Sequence, residues 1–182
     1  MEGSSEVSIF ENRFKGGHPN SLGNTVEIVE EILVDHCKLQ ALVDTWQSDD
    51  ELVRLRVANG VRRVCVKKPE WIVPYLDHLL NDVSKIDQPS TQWTLAKLFE
   101  FLTNEMSENQ KQTAKVLLKH NLAHHPDWIV LNNTMETLAL WTKEDTDLLK
   151  WLKPQLERLT GETRKSVAGR AKKLLKKLDT KT

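Results

Sequence analysis

The fold of this chain is decided by residues 48–80, which read SDDELVRLRVANGVRRVCVKKPEWIVPYLDHLL. Two acids, Asp49 and Asp50, precede a run in which apolar residues recur every three or four positions, the spacing of one helix face. Such acids cap a helix because a carboxylate accepts hydrogen bonds from the first free backbone amides. The basic pair at 67–68 suits the last turn, and Pro69 suits the first turn of the next helix. The stretch therefore predicts two helices joined by a short turn.

The same helical spacing continues along most of the chain, and no strand-like alternation of useful length interrupts it. The first helices of successive pairs are predicted to begin near Asp50, Pro89, Pro126 and Glu162, at intervals of 39, 37 and 36 residues. Because one helix pair cannot bury its apolar face alone, neighbouring pairs stack. The sequence therefore predicts an all-α fold, an α-α superhelix of about eight or nine helices.

The N-terminal segment lacks this regular spacing. Residues 1–23 contain Gly16-Gly17, a Pro at 19 and Gly23, and only a few scattered apolar side chains. Glycine and proline interrupt regular structure, and chain termini are often loosely held. We therefore predict a flexible arm over residues 1–23 and a single helical repeat domain over 24–182.

Residues 48–80 resemble a HEAT repeat, in which a capping acid precedes a helix with a Val-Arg pair and small residues. Val53-Arg54 and Ala58 stand at matching positions, and both Arg54 and Arg56 are candidates for the inward-facing arginine of such repeats. The segment RKSVAGRAKKLLKKL (164–178) looks like the closing helix of small bacterial HEAT-like proteins. The resemblance covers about residues 24–178 and implies a HEAT- or armadillo-like solenoid. Since such proteins serve mostly as scaffolds and binding surfaces, it also implies a non-catalytic binding module.

Charge and composition restrict the class of protein. The 26 basic and 26 acidic residues cancel, but residues 1–53 hold 11 acids and 3 bases, whereas residues 107–182 hold 9 acids and 15 bases. No apolar run approaches the roughly 20 residues that span a bilayer, so we expect no membrane partner. Cys37 and Cys65 form no CxxC pair, and the N-terminus lacks a leader pattern, so we predict a cytoplasmic location.

No catalytic motif can be located in the chain. His120 and His124 have the spacing of two metal ligands on one helix, but histidines near a helix end also commonly bond to its last carbonyls. Some HEAT-like proteins bind DNA and excise alkylated bases with an aromatic residue and an acid. Trp141 with Asp145 comes nearest to such a pair here. We therefore predict a protein that is not an enzyme and holds no cofactor or metal.

Basic residues of the second half form the candidate binding surface. They lie on three predicted helices: Lys111, Lys115, Lys119, Lys150, Lys153, Arg170, Lys172, Lys173, Lys176 and Lys177. In one interpretation these side chains follow the phosphates of a nucleic acid, with a role in DNA repair as the extreme form. In another, the last helix is the polar cap that a terminal repeat needs. The leading hypothesis is a scaffold that binds a protein or peptide, and nucleic-acid binding is the alternative.

Overall fold

The computed structural model describes the backbone of most of the chain and the side chains of slightly fewer residues. Backbone is described for residues 2–18 and 20–180, and side chains for residues 7, 9–18 and 20–180. All regular secondary structure assigned to these residues is helical, and no strand is found among them, which confirms the all-α class. The chain divides into two compact units, Met1–Thr94 (unit 1) and Leu95–Thr182 (unit 2). The flexible arm over 1–23 and the single domain over 24–182 stay predictions.

Unit 1 contains six helices and the beginning of a seventh among the described residues. They are α1 (Glu2–Phe14), α2 (Thr25–Val34), α3 (Leu39–Asp44), α4 (Glu51–Lys67), α5 (Pro69–Ile72), α6 (Leu76–Asn81) and α7 (Pro89–Phe101). Short 3-10 helices lie at His36–Lys38, Thr45–Gln47, Val73–Tyr75 and Val83–Lys85. Over the described residues the structure has more α-helices than the eight or nine predicted, and several of those in unit 1 are short. One cause is Pro74, which has no amide hydrogen to continue the helix of α5.

Helix α4 is the centre of unit 1 and packs against α1, α2, α3 and α5. Its cap is Asp50, whose carboxylate accepts hydrogen bonds from the amides of Leu52 at 2.8 Å and Val53 at 3.3 Å. The valines of its inner face, Val53, Val57, Val61 and Val64, are fully buried. The helix that the sequence predicted from Asp50 is therefore present, with the predicted start and apolar face.

The segment between α1 and α2 is held by a buried arginine of α4. Arg56 is 2% exposed, and its guanidinium donates hydrogen bonds to four backbone carbonyls, one at the end of α1 and three in that segment. These belong to Phe14, to Gly16 at 2.6 Å, to His18 at 3.3 Å and to Ser21 at 3.2 Å. Part of the region predicted as an arm is thus a helix, and the end of this helix and the loop after it accept four hydrogen bonds from Arg56 of α4.

Of the two candidate inward arginines, Arg56 is the buried one. Arg54 instead donates to Gln88 Oε1 at 2.5 Å and to the carbonyl of Ser48 at 2.7 Å. It thereby connects the start of α4 to the chain just before α7.

Unit 2 contains the end of α7 and four further helices: α8 (Glu108–His124), α9 (Trp128–Trp141), α10 (Thr146–Thr160) and α11 (Lys165–Asp179). Ser107 with Gln110 three residues onward is the sequence pattern that predicts a capping box, and the structure confirms one at the start of α8. Ser107 Oγ accepts from the amide of Gln110 at 3.3 Å, and Gln110 Oε1 accepts from the amide of Ser107 at 2.9 Å. Helix α9 packs against α8, α10 and α11, and α11 also packs against α10.

At two prolines of unit 2 the structure differs from what the residue type alone would predict. Pro126 does not begin α9, because Asp127 is the cap and accepts from the amides two and three residues onward. Pro154 does not end α10, which continues to Thr160. Pro154 is exposed, so water can reach the carbonyl of Lys150 that it leaves without a partner, while buried leucines hold the opposite face of the helix.

A regular interval separates the starts of four of the long helices. Helices α4, α7, α9 and α11 begin 38, 39 and 37 residues apart. Within unit 2, hydrogen bonds join residues separated by about this interval. Trp141 Nε1 donates to Thr103 Oγ1 at 2.9 Å, and Arg158 donates to the carbonyl of Leu122 at 3.1 Å. The spacing in the sequence thus corresponds to spatial neighbourhood within the unit.

Among residues 2–18 and 20–180, no helix is both long and apolar enough to cross a lipid bilayer.

Candidate functional site

Two of the predicted basic residues make contacts inside unit 2. The side chain of Lys115 is 12% exposed, and its Nζ lies 2.9 Å from Asp145 Oδ2. Lys119 Nζ lies 4.9 Å from the centre of the Trp151 ring, a cation–π contact between α8 and α10. These two lysines hold α8 against the start of α10, and Lys115 in particular offers little charge to a partner.

Three further members of the predicted surface are paired with acids. Lys150 lies 3.1 Å from Asp147, and Lys153 lies 2.9 Å from Asp179. Arg170 forms an ion pair with Glu136 of α9. A phosphate group approaching these cations would have to compete with carboxylates already in place. The ten predicted residues therefore do not form one uninterrupted positive stripe.

Apart from Lys111, the remaining members of the predicted surface lie on the outer face of α11. Its buried side is formed by Val167, Ala168, Ala171, Leu174 and Leu178, which face α9 and α10. The other side carries four exposed lysines: Lys172, Lys173, Lys176 and Lys177. None of the four forms an ion pair within 4 Å with an acid in the part of the chain that the structure describes. We call these four residues the α11 lysine face.

A polar cleft of about 580 Å³ lies where the end of α7, the start of α8 and the end of α9 meet in unit 2. It contains Lys111, Trp141 and Asp145, so the aromatic residue and the acid noted in the sequence do come together. Trp141 is 7% exposed, however, and its indole N–H donates a hydrogen bond to Thr103 Oγ1. The tryptophan therefore has little ring surface left for stacking on a ligand.

Asp145 is occupied as the cap of α10. Its carboxylate accepts from the amide of Leu148 at 2.8 Å and from Lys115 at 2.9 Å. These two hydrogen bonds, that of Leu148 first, lower the pKa of the carboxyl group below its ordinary value. An acid that holds its proton so weakly is a poor general base at neutral pH. The cleft thus brings Trp141 and Asp145 together, but both side chains already make hydrogen bonds that stabilise the fold.

A second concavity, of about 510 Å³, lies beside the cleft and is mainly apolar. We call it the leucine groove, because its walls are Ala139 and Leu140 of α9, Leu149 of α10, and Leu174 and Leu178 of α11. Charged residues of both signs surround these walls: Glu100, Glu136, Lys143 and Lys177. Glu100, Leu140 and Lys143 also line the polar cleft, so the two concavities adjoin.

One edge of the leucine groove is fixed by an ion-pair network. Glu136 of α9 binds Lys97 of α7 at 3.0 Å and Arg170 of α11, and Lys97 also lies 2.7 Å from Glu100. Three helices of unit 2 are thereby linked on one face through a single carboxylate. An edge held in this way loses little side-chain freedom when a partner binds, which favours association.

Sequence reasoning missed the groove, because its leucines belong to the same apolar stripes as the core. Leu140 and Leu149 remain half-exposed in the structure, while stripe neighbours such as Leu138 and Leu148 are buried.

The histidine pair does not extend to a metal site in the described residues. The rings of His120 and His124 lie 5.0 Å apart at the end of α8. Among the described side chains, no group of three or more His, Cys, Asp or Glu residues is arranged to hold a metal ion.

No protein-family model matches this chain, and no curated protein sequence matches it.

Proposed function

We propose that this chain is a non-catalytic binding module that takes up a protein or peptide segment in the leucine groove. The observation that carries the proposal is an open apolar concavity with charges of both signs at its edges. Half-exposed leucines in a concave surface bind apolar side chains by the hydrophobic effect, and edge charges select the flanking residues. The expected ligand is a short segment with two or three apolar side chains and charged residues beside them.

We further propose that the helices form a HEAT- or armadillo-like solenoid of a cytoplasmic scaffold. Helix starts at intervals of 37 to 39 residues support this arrangement. So do hydrogen bonds in unit 2 that join residues 36 and 38 positions apart. In repeat proteins of this kind each repeat contacts its neighbours, and the surface of several repeats forms the binding site.

The leucine groove is tested by selecting random displayed peptides on the purified protein and measuring the affinity of those enriched. Leu149→Asp places a charge on the apolar wall, and we expect it to weaken the selected peptides by at least about tenfold, the loss of one buried side-chain contact. Lys143→Glu should reverse the preferred flanking charge without touching the wall. Val116→Asp, an exposed change on α8, is the matched control and should leave affinity unchanged. Peptides that bind Leu149→Asp as well as the unmodified protein would contradict the proposal.

Nucleic-acid binding through the α11 lysine face is the alternative. The observation in its favour is four neighbouring exposed lysines with no acid within ion-pair distance among the described residues. Such a face can neutralise about three or four phosphates, and the affinity then falls with salt with a slope of about −3 on logarithmic axes. This is a modest site, because the other predicted cations are largely committed to acids.

The alternative is tested by titrating a labelled DNA duplex at several salt concentrations. Replacing Lys172, Lys173 and Lys176 by Glu is expected to abolish binding at about 50 mM salt, because three phosphate contacts become repulsive. The matched control replaces three exposed lysines of unit 1, Lys15, Lys68 and Lys85, by Glu and changes the net charge equally. Equal loss in both variants would assign binding to overall charge and would contradict a site on α11.

A further inference from the structure

A separate groove lies within unit 1, between α2 and α4. Its volume is about 460 Å³. Its apolar walls are Val26, Val29 and Leu33 of α2 and Val66 of α4. Val26 is 41% exposed and Val66 is 60% exposed, so much of this apolar surface is open to water. Its charged residues are Arg62, Arg63 and Lys67 of α4 and Glu30 of α2.

The two arginines of this groove are poorly supplied with acceptors. Arg62 Nη2 lies 3.4 Å from Asn59 Oδ1, and Arg63 Nε lies 3.3 Å from the same oxygen. One neutral amide oxygen therefore serves two guanidinium groups through long hydrogen bonds. No ion pair within 4 Å joins either arginine to an acid among the described residues. Most arginines elsewhere in the described chain have better acceptors, as Arg13 does with Glu31 at 2.7 Å.

Arg62 lies in an environment in which a further hydrogen-bond acceptor would stabilise its charge. The side chain is half-buried, and its Nε is enclosed with no hydrogen-bond partner among the described atoms. Burial, and then the neighbouring charge of Arg63, lower the pKa of Arg62. A charge in a partly dehydrated position interacts more strongly with a carboxylate than an exposed charge does. Arginine presents two parallel N–H groups that match the two oxygens of a carboxylate.

We propose that the groove between α2 and α4 binds an acidic segment of a partner protein, with a carboxylate on Arg62 and Arg63 and apolar side chains on the valines. The charge of the groove argues for this occupant, because three cations face a single acid, Glu30. The walls argue against a free inorganic anion, since four aliphatic side chains add nothing to its binding. A segment with Asp or Glu close to Leu, Ile or Val uses both parts of the groove.

The test selects random displayed peptides on the full chain and discards those that also bind Arg62→Gln. We expect the remaining peptides to carry an acid next to aliphatic residues. Their affinity should also fall at least about tenfold for Arg63→Gln, a variant not used in the selection, since that change removes a charged hydrogen bond. Lys68→Gln, an exposed change next to the end of α4, is the matched control and should have no effect. Changing the peptide acid to its amide should weaken binding to the unmodified protein but not further weaken binding to Arg62→Gln.

Four results would overturn the proposal. One is that no peptide depends on Arg62, and another is that the selected peptides lack acids. A third is that inorganic phosphate displaces the peptides while their apolar residues prove irrelevant, which would make the groove a simple anion site. The fourth is self-association of the chain that Arg62→Gln abolishes, which would assign the groove to a second copy. Arg62→Gln removes no ion pair seen in the described residues, so circular dichroism is expected to show an unchanged fold.

This test is independent of the one for the leucine groove. Peptides that depend on Leu149 report on unit 2, and peptides that depend on Arg62 report on unit 1. Either proposal can therefore fail while the other stands.

Discussion

Replacing Arg56 by methionine is expected to lower the free energy of unfolding of unit 1 by about 3 kcal/mol, because a charged donor that serves four carbonyls is removed from a buried position. Methionine fills a similar volume, so the loss reports mainly on the hydrogen bonds. The carbonyls of Phe14 and Gly16 would lose the donor that now reaches both of them from one guanidinium nitrogen. Denaturant unfolding followed by circular dichroism measures the change.

A local signature distinguishes this effect from general damage. Hydrogen exchange should accelerate first in α1 and in the loop after it, whereas amides of unit 2 should remain as protected as before. Gly23→Ala is a second substitution that should disturb the same loop. Gly23 has φ of 52°, and a Cβ there would lie 3.0 Å from Arg56 Cζ. Uniform acceleration over both units, or no acceleration in α1, would show that Arg56 does not hold this segment.

Replacing Trp46 by alanine is expected to cost about 4 kcal/mol, the usual effect of emptying a large buried site. Trp46 is fully buried in the 3-10 helix Thr45–Gln47, and its indole N–H donates to Thr91 Oγ1 at 3.1 Å. Thr91 is fully buried too, so the hydrogen bond joins two groups that water does not reach. Trp128→Ala is the matched control, since that ring is 48% exposed, and it should cost less than about 1 kcal/mol.

A double-mutant cycle isolates the hydrogen bond from the packing of Trp46. Trp46→Phe and Thr91→Val each leave one buried polar group without a partner, whereas the double variant leaves neither. The losses in free energy of unfolding of the two single variants should therefore add up to about 1 kcal/mol more than the loss of the double variant. Strict additivity in denaturant unfolding would mean that the bond contributes nothing to stability.

Helix starts are the part of the fold that the sequence predicts well, because a cap depends on neighbouring residues only. Asp50 and the Ser107–Gln110 pair are local signals, and both act as expected. Helix α1 was not predicted, although Phe10 and Phe14 stand four residues apart and are both buried. Two aromatic residues among polar ones do not define a helix face. What holds the loop after α1 is Arg56, which is distant in sequence.

The candidate sites were less predictable than the helices, because exposure is a property of packing between helices. Lys115 and Lys172 look alike in the sequence. Yet Lys115 forms a hydrogen bond with Asp145, which lies 30 positions later in the chain, while Lys172 remains exposed. Leu138 and Leu140 differ in the same way, one buried and the other in the wall of a groove. Local patterns report which side chains can pack, and the arrangement of neighbouring helices decides which of them do.

The contact between Arg56 and the loop after α1 also sets an order of events during synthesis. Its carbonyl partners lie 35 to 42 residues earlier in the chain. A ribosome that adds about 5–20 residues per second makes Arg56 roughly 2 to 8 seconds after them. Throughout that interval the carbonyls lack the guanidinium that later bonds to them, and the rings of Phe10 and Phe14 lack the helices that later cover them. Helix α1 is therefore secured only after α4 has been made, and until then Phe10 and Phe14 are exposed aromatic residues that a chaperone could bind.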